Sequence, residues 1–172
     1  VEAEILGCRL HWAPHNPPAV VSHQLAEGIH LNDLRIPEIT DGRIPVMVDA
    51  VKELREKYPE IALYGLITGP FTLALHLMGT DIFIKLFEAP DEVNEVMDFC
   101  TKVGLRMAEY MIEAGCDVIA VVDPMTSQID PLTFETFVTP YVSAIFDDVR
   151  KRGKLSSFFV CGHAQQNIEA MC

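Results

Sequence analysis

Ile61-Ala62-Leu63-Tyr64-Gly65-Leu66-Ile67-Thr68 is a nearly unbroken apolar run that stops at Gly69-Pro70. Its length suits a strand better than a helix. Its lack of polar alternation predicts a strand covered on both faces, as in a parallel sheet. Pro70 fits the first position of a helix, where its missing N–H is no loss. That helix would run from Phe71 to Met78, with Gly79 closing it. A buried strand that passes into a helix at its C-terminal end is the building unit of α/β proteins.

The same unit recurs downstream. Thr80 or Asp81 is placed to cap a short helix, Ile82 to Glu88. The clearest helix spans Asp91 to Ala114, where Val93, Val96, Met97, Cys100, Val103, Met107 and Met111 recur at spacings of three and four. Gly115 stops it, and the β-branched run Val118 to Val122 follows as a second strand ending in Asp123-Pro124. Pro131 opens a helical region to about Arg152, interrupted near Pro140 and closed by Gly153. Ser156 to Val160 then reads as a third strand, ending in Cys161-Gly162-His163, with a helix starting near Ala164. Upstream, Gly7 to Trp12 reads as a short strand, His15-Asn16-Pro17-Pro18 as a loop, and residues 30–45 as a long polar excursion. Pro45 opens a helix to about Tyr58.

Strands joined by helical crossovers imply a parallel sheet with helices outside it. Right-handed crossovers put the ends of the strands, Thr68, Asp123 and Cys161, on one rim. A barrel and an open doubly wound sheet both satisfy this order. No glycine-rich dinucleotide fingerprint follows any strand.

Composition narrows the function. The 172 residues are 49% hydrophobic and carry a formal net charge of −12. One domain, residues 1–172, accounts for that length, since no repeat or low-complexity segment divides it. The negative charge argues against a basic nucleic-acid surface and against an anionic membrane. No apolar segment approaches the ~20 residues of a membrane span. Five widely spaced cysteines without a CxxC pair suit a reducing cytoplasm rather than a disulfide framework. The chain opens on Val1 and stops on Cys172 just after a helix start, so a fragment of a longer protein is expected.

Three rim groups carry chemistry. Cys161 offers a nucleophile or a soft metal ligand, against the plainer role of a small core residue. His163 is a second potential ligand or a loop imidazole. Asp123 follows five apolar residues, where a carboxylate is costly unless paired or functional. It reads as a catalytic or metal-directed group, or as a cap for the amides of Met125 to Gln128. Thr68 reads as a cap for the helix after Gly69 or a substrate contact. Ser127 and Gln128 share the loop of Asp123 and are candidate substrate contacts. His11, His15, His23 and His30 show no helix-borne metal spacing, and His76 reads as a helix residue, packed or exposed.

Three ordered blocks resemble a known family. Gly69-Pro70-Phe71-Thr72-Leu73-Ala74 is one. Asp123-Pro124 with Ile129-Asp130-Pro131 is the second, and Phe137-Val138-Thr139-Pro140-Tyr141 the third. In order and spacing they resemble the uroporphyrinogen decarboxylase superfamily. The resemblance implies a (β/α)8 TIM-type barrel, of which this chain would be about half to two-thirds, since a full one takes ~250 residues. Half a barrel would expose sheet edges and favour self-association into a homo-oligomer.

The superfamily has two branches, one decarboxylating uroporphyrinogen without a cofactor, the other moving methyl groups between corrinoids and thiols with zinc. The methyltransferase branch carries His-x-Cys-Gly where this chain has Phe159-Val160-Cys161-Gly162. Cys161 and Gly162 match, and Phe159 stands in place of the histidine. The resemblance therefore implies zinc held by Cys161, with His163 as a substitute ligand. A further cysteine ligand would lie beyond Cys172, and the decarboxylase branch's arginine motif before Val1. The implied activity is methyl transfer from a methylcorrinoid to a thiol, with a corrinoid protein as partner. The alternatives are a uroporphyrinogen III decarboxylase, with Asp123 binding the tetrapyrrole's N–H groups, and a non-catalytic corrinoid or tetrapyrrole binder.

Overall fold

A computed structural model describes residues 1–171 of the chain. The helical, structural placement expected for Cys172 lies outside the described residues. Helix α1, Glu2–Ile5, leads into a small antiparallel hairpin, β1 (Leu10–His11) and β2 (Ala19–Val20). The strand expected over Gly7 to Trp12 thus shrinks to two residues. After the polar excursion, α2 covers Ile44–Lys57, starting one residue before Pro45.

The body of the chain then follows the expected order: β3 (Tyr64–Thr68), α3 (Pro70–Met78), α4 (Ile82–Glu88), α5 (Pro90–Ala114) and β4 (Val118–Val122). After β4 come α6 (Pro131–Phe137), α7 (Thr139–Lys151), β5 (Leu155–Phe159) and α8 (Ile168–Met171). Strands β3, β4 and β5 form one parallel sheet in that order. Their register aligns Thr68, Val122 and Phe159, so all three end on one rim. Helix α5 backs the sheet with a continuous buried stripe that includes Val93, Met97, Cys100, Val103, Met107 and Met111. The break between α6 and α7 falls at Val138.

The sequence predicts a β3 covered on both faces, and that is corrected. Gly65 and Ile67 are buried on the α5 side, while Tyr64 and Leu66 are 61% and 60% exposed. On β5, Leu155 and Phe159 are likewise exposed. Inward-pointing side chains of a closed barrel are covered by strands across the interior. The three parallel strands described here leave that face open.

Two further expectations change. Neither Thr80 nor Asp81 caps α4. A 3-10 turn over Gly79–Asp81 runs straight into it without a side-chain cap. The stretch Pro70–Glu88 does have the length and composition of a membrane span, contrary to the sequence reading. It is interrupted by that turn, and its window is 61% buried inside the protein.

At the opposite end of the sheet, Arg55 of α2 closes the entry to β3 and β4. Its guanidinium donates to the carbonyls of Gly115, Pro59 and Ile61 and pairs with Asp117. Asp117 in turn accepts the Leu63 amide at 2.9 Å. That amide and the guanidinium hold the Asp117 carboxyl below the usual carboxylate range. Only a planar fork reaches so many carbonyls at once. Arg55→Ala is expected to cost about 1–3 kcal/mol, and Arg55→Lys to recover less than half of it. Urea titration of both variants checks this. Full recovery by lysine would mean that charge alone matters.

Candidate active site

The rim is built by the residues immediately after each strand. The Gly69 amide bonds to the Val122 carbonyl at 2.8 Å, and the Asp123 amide to the Phe159 carbonyl at 2.9 Å. These bonds extend the ladder one step past the strands and fix the three exits relative to one another.

Asp123 lies inside this arrangement and does not face outward. It is fully buried. Its carboxylate accepts the amides of Phe71 (3.1 Å) and Thr72 (2.7 Å) and the Thr72 hydroxyl (2.5 Å). It therefore caps α3, an element from a neighbouring unit, and the cap expected on the amides of Met125 to Gln128 is corrected. Burial pushes its pKa up to about 6, outweighing the lowering by the Thr72 hydroxyl and the two amides. With its hydrogen bonds taken by α3, Asp123 holds the rim together, and the rim-facing catalytic acid expected at this position turns inward.

Thr68 is half-buried on the inner face. Its amide donates to Glu2 at 2.8 Å, and the cap of α3 is Gly69, without a side-chain bond. The helix-cap reading of Thr68 is thus corrected as well. Thr68 lines a cavity of about 320 Å³ together with Glu2, Leu66, Thr72 and His76. The His76 imidazole is largely buried, its Nδ1 has no partner among the described residues, and burial lowers its pKa, helped by nearby His23. Sequence spacing gave no sign of His76 or Glu2 as cavity groups, because both depend on contacts with distant segments.

Ser127 is buried in the 3-10 turn Pro124–Gln128, where its hydroxyl donates to the Pro124 carbonyl at 2.8 Å. Gln128 is exposed and donates to that hydroxyl at 3.3 Å. Gln128 borders a second cavity, of about 520 Å³, beside Phe83, Phe87, Asp130 and Gln166. Thr68 and Gln128 thus line different cavities.

Cys161 and His163 are both exposed in the turn that leaves β5. Gly162 between them has φ +86°, which a side chain would strain, and it lies against Ser127. The other described cysteines, Cys8, Cys100 and Cys116, are buried, and burial raises each thiol pKa. Among the described residues Cys161 is the accessible thiol. Phe159, at the position expected for histidine, is exposed on the inner face of the sheet. A thiolate and an imidazole suit zinc, and a catalytic zinc takes three protein donors and keeps its fourth position open for substrate. Cys161 and His163 are donors of the right kind in one exposed turn. Among the described residues no group of three or more His, Cys, Asp or Glu is gathered to complete such a site.

The family model for uroporphyrinogen decarboxylase (URO-D) matches residues 1–172. The methylcobamide:CoM methyltransferase MtbA of Methanosarcina mazei is 32% identical over 99% of this chain and 51% of its own length. The uroporphyrinogen decarboxylase of Geobacter sulfurreducens is 25% identical over 92% of this chain and 48% of its own. A solved methyltransferase from Methanosarcina mazei superposes with a TM-score of 0.86 at 28% identity, covering 99% of this chain and 51% of that one. The chain spans about half the length of the curated relatives it matches.

Proposed function

The chain belongs to the uroporphyrinogen decarboxylase (URO-D) family, and from that membership we propose that the protein transfers a methyl group from a methylcorrinoid to a thiol acceptor. Cys161 serves in this reading as a zinc thiolate, and His163 is placed to add an imidazole. The observation that carries the reading is the exposed Cys161-Gly162-His163 turn at the C-terminal end of β5. Greater similarity to MtbA than to the Geobacter decarboxylase supports the same branch. A (β/α)8-type site at the C-terminal ends of strands fits this placement.

The chemistry that zinc supplies when bound is to hold a substrate thiol as its thiolate at neutral pH. A thiolate so held would take the methyl group of the methylcorrinoid substrate, with the thiol proton released to solvent and the carbon–cobalt electron pair left on the corrinoid. This chain's residues present and shape that site. Cys161 supplies a donor. Thr68 remains a substrate contact of this reading, whereas Gln128 lines a different cavity.

Decarboxylation of a tetrapyrrole would use Asp123 to bind pyrrole N–H groups, but its carboxylate is already occupied by α3. One feature favours a non-catalytic corrinoid or tetrapyrrole binder, namely Phe159 at an expected ligand position. The protein is expected to hold about one zinc per chain and Cys161→Ser to lose it, together with methyl transfer to a thiol such as coenzyme M. Metal analysis and transfer assays on both proteins decide. Equal zinc in the two, or none in either, sinks the zinc-thiolate reading. A cobalamin spectral shift without turnover would select the binder instead.

A further inference from the structure

Asn167 is fully buried, although it belongs to a polar 3-10 turn, Gln165–Asn167, between the Cys161 turn and α8. Its Nδ2 donates to the carbonyls of Thr126 (3.0 Å) and Ile129 (2.9 Å), which bracket Ser127 and Gln128. Among the described residues its Oδ1, which is buried, meets no hydrogen-bond donor. A buried amide with an unpaired acceptor is a poor choice for stability alone. What it does provide is a fixed distance between two loops.

The segment from Phe159 to Asn167 touches the loop after β4 at four points, one of them Gln166, whose Nε2 donates to the Ile129 carbonyl at 3.0 Å. At its start, the Phe159 carbonyl accepts the Asp123 amide. In its middle, Gly162 presses on Ser127 so closely that a Cβ would sit 3.2 Å from the Ser127 hydroxyl. At its end stands Asn167. The loop that receives these contacts is itself anchored, because fully buried Thr126 donates its hydroxyl to the Asp123 carbonyl at 2.7 Å. Cys161 is exposed and sits between the first and second of these points.

We infer that Asn167 is the positioning residue for Cys161, fixing where the thiol stands on the rim and tying it to the loop that carries Gln128. The inference rests on the zinc-thiolate reading above. Removing such a support leaves the ligand present but badly oriented, as happens when partners behind metal ligands are lost.

Asn167→Asp keeps the shape and replaces the donor with an acceptor, and Asn167→Ala removes it. Both are compared with the parent protein and Cys161→Ser by zinc competition against a chromophoric chelator. The parent should bind zinc, Cys161→Ser should not, and both Asn167 variants should bind about 10- to 100-fold more weakly. A second measurement needs no metal: the rate at which Cys161 reacts with an aromatic disulfide reagent in a Cys172→Ser background. That rate should change severalfold in both variants, with cooperative unfolding retained.

Parental zinc affinity and an unchanged thiol rate in folded variants overturn the inference. If the parent binds no zinc, the zinc reading of Cys161 fails and the thiol rate alone decides whether Asn167 positions it. If both variants fail to fold, native-state hydrogen exchange of the parent decides. Residues 161–168 and 124–130 opening together support the tie, and independent opening overturns it.

Discussion

Replacing Gly69 with alanine is expected to cost more stability than any other glycine-to-alanine change among the described residues. A Cβ there would lie 2.3 Å from Cβ, Cγ and Oδ2 of Asp123. Real side chains never approach that closely, and Asp123 has nowhere to go. Its backbone is bonded to Phe159, and its carboxylate is held by Phe71 and Thr72. The φ of Gly69 is −67°, an ordinary value, so the expected loss is steric and not conformational. Overpacking of this kind costs typically about 1–3 kcal/mol, and here the upper end or beyond is expected. Denaturant titration measures it. The cause can be isolated with Asp123→Gly, which removes every atom in the clash. In that background Gly69→Ala should lose most of its effect, a coupling of about 2 kcal/mol or more. Additive losses would mean that the crowding lies elsewhere.

The second large effect is expected at Asp123 itself. Asp123→Ala leaves two buried amides and one hydroxyl without their acceptor, each worth about 1–3 kcal/mol when unpaired. The Met125 amide bond to the Thr72 hydroxyl, 3.2 Å, survives but leaves that hydroxyl's own proton unpaired. A total of about 3 kcal/mol or more is expected. Asp123→Asn keeps one acceptor and should cost less.

The pH dependence separates the two replacements from the parent in a different way. The folded pKa of about 6 lies above the ordinary 3.8, so the folded state holds this proton more tightly than the unfolded chain does. The resulting stability is full below about pH 3.8 and is lost as pH rises to 6, a fall of roughly 3 kcal/mol. The carboxylates of Asp41, Asp117 and Asp130 are shifted downward, so their contributions are lost only at more acid pH. The lowered pKa of His76 acts in the opposite sense over pH 4 to 6, adding stability as pH rises, so Asp123 is read from the difference between the parent and Asp123→Asn. That difference in unfolding free energy should fall by roughly 3 kcal/mol across the window. A difference that stays flat would assign the proton to another group.

Much of the fold was legible because its signals are local. The run Val118 to Val122 is the β4 strand to the residue, and Gly115 ends α5 in a left-handed conformation. Pro70 and Pro131 each open a helix as read, and α5 starts at Pro90, one residue before the expected Asp91. The start of β3 was misplaced for a physical reason. Ile61 is apolar, but its carbonyl is taken by Arg55, and the Leu63 amide goes to Asp117, so these residues are diverted from the ladder.

The site was legible only where exposure follows from a turn. Cys161, Gly162 and His163 stand in the open turn that the sequence pattern implied. The partner of Asp123 could not be read, because Thr72 is 51 residues away in sequence. The same holds for Asn167 and the loop it grips, and for Glu2, which reaches the Thr68 amide across 66 residues. Long-range hydrogen bonds leave no periodicity behind.

The strand order β3-β4-β5 has a bearing on how the chain is made. Each strand pairs with the one synthesised just before it, and none waits for a later segment to separate its neighbours. As the chain leaves the ribosome, β3 with α5 behind it forms a template onto which β4 can add. β4 then offers its free edge to β5. Loop closure at each step spans one crossover only, which keeps the entropic barrier to every pairing low. The sheet can grow in the direction of translation, one βα unit at a time.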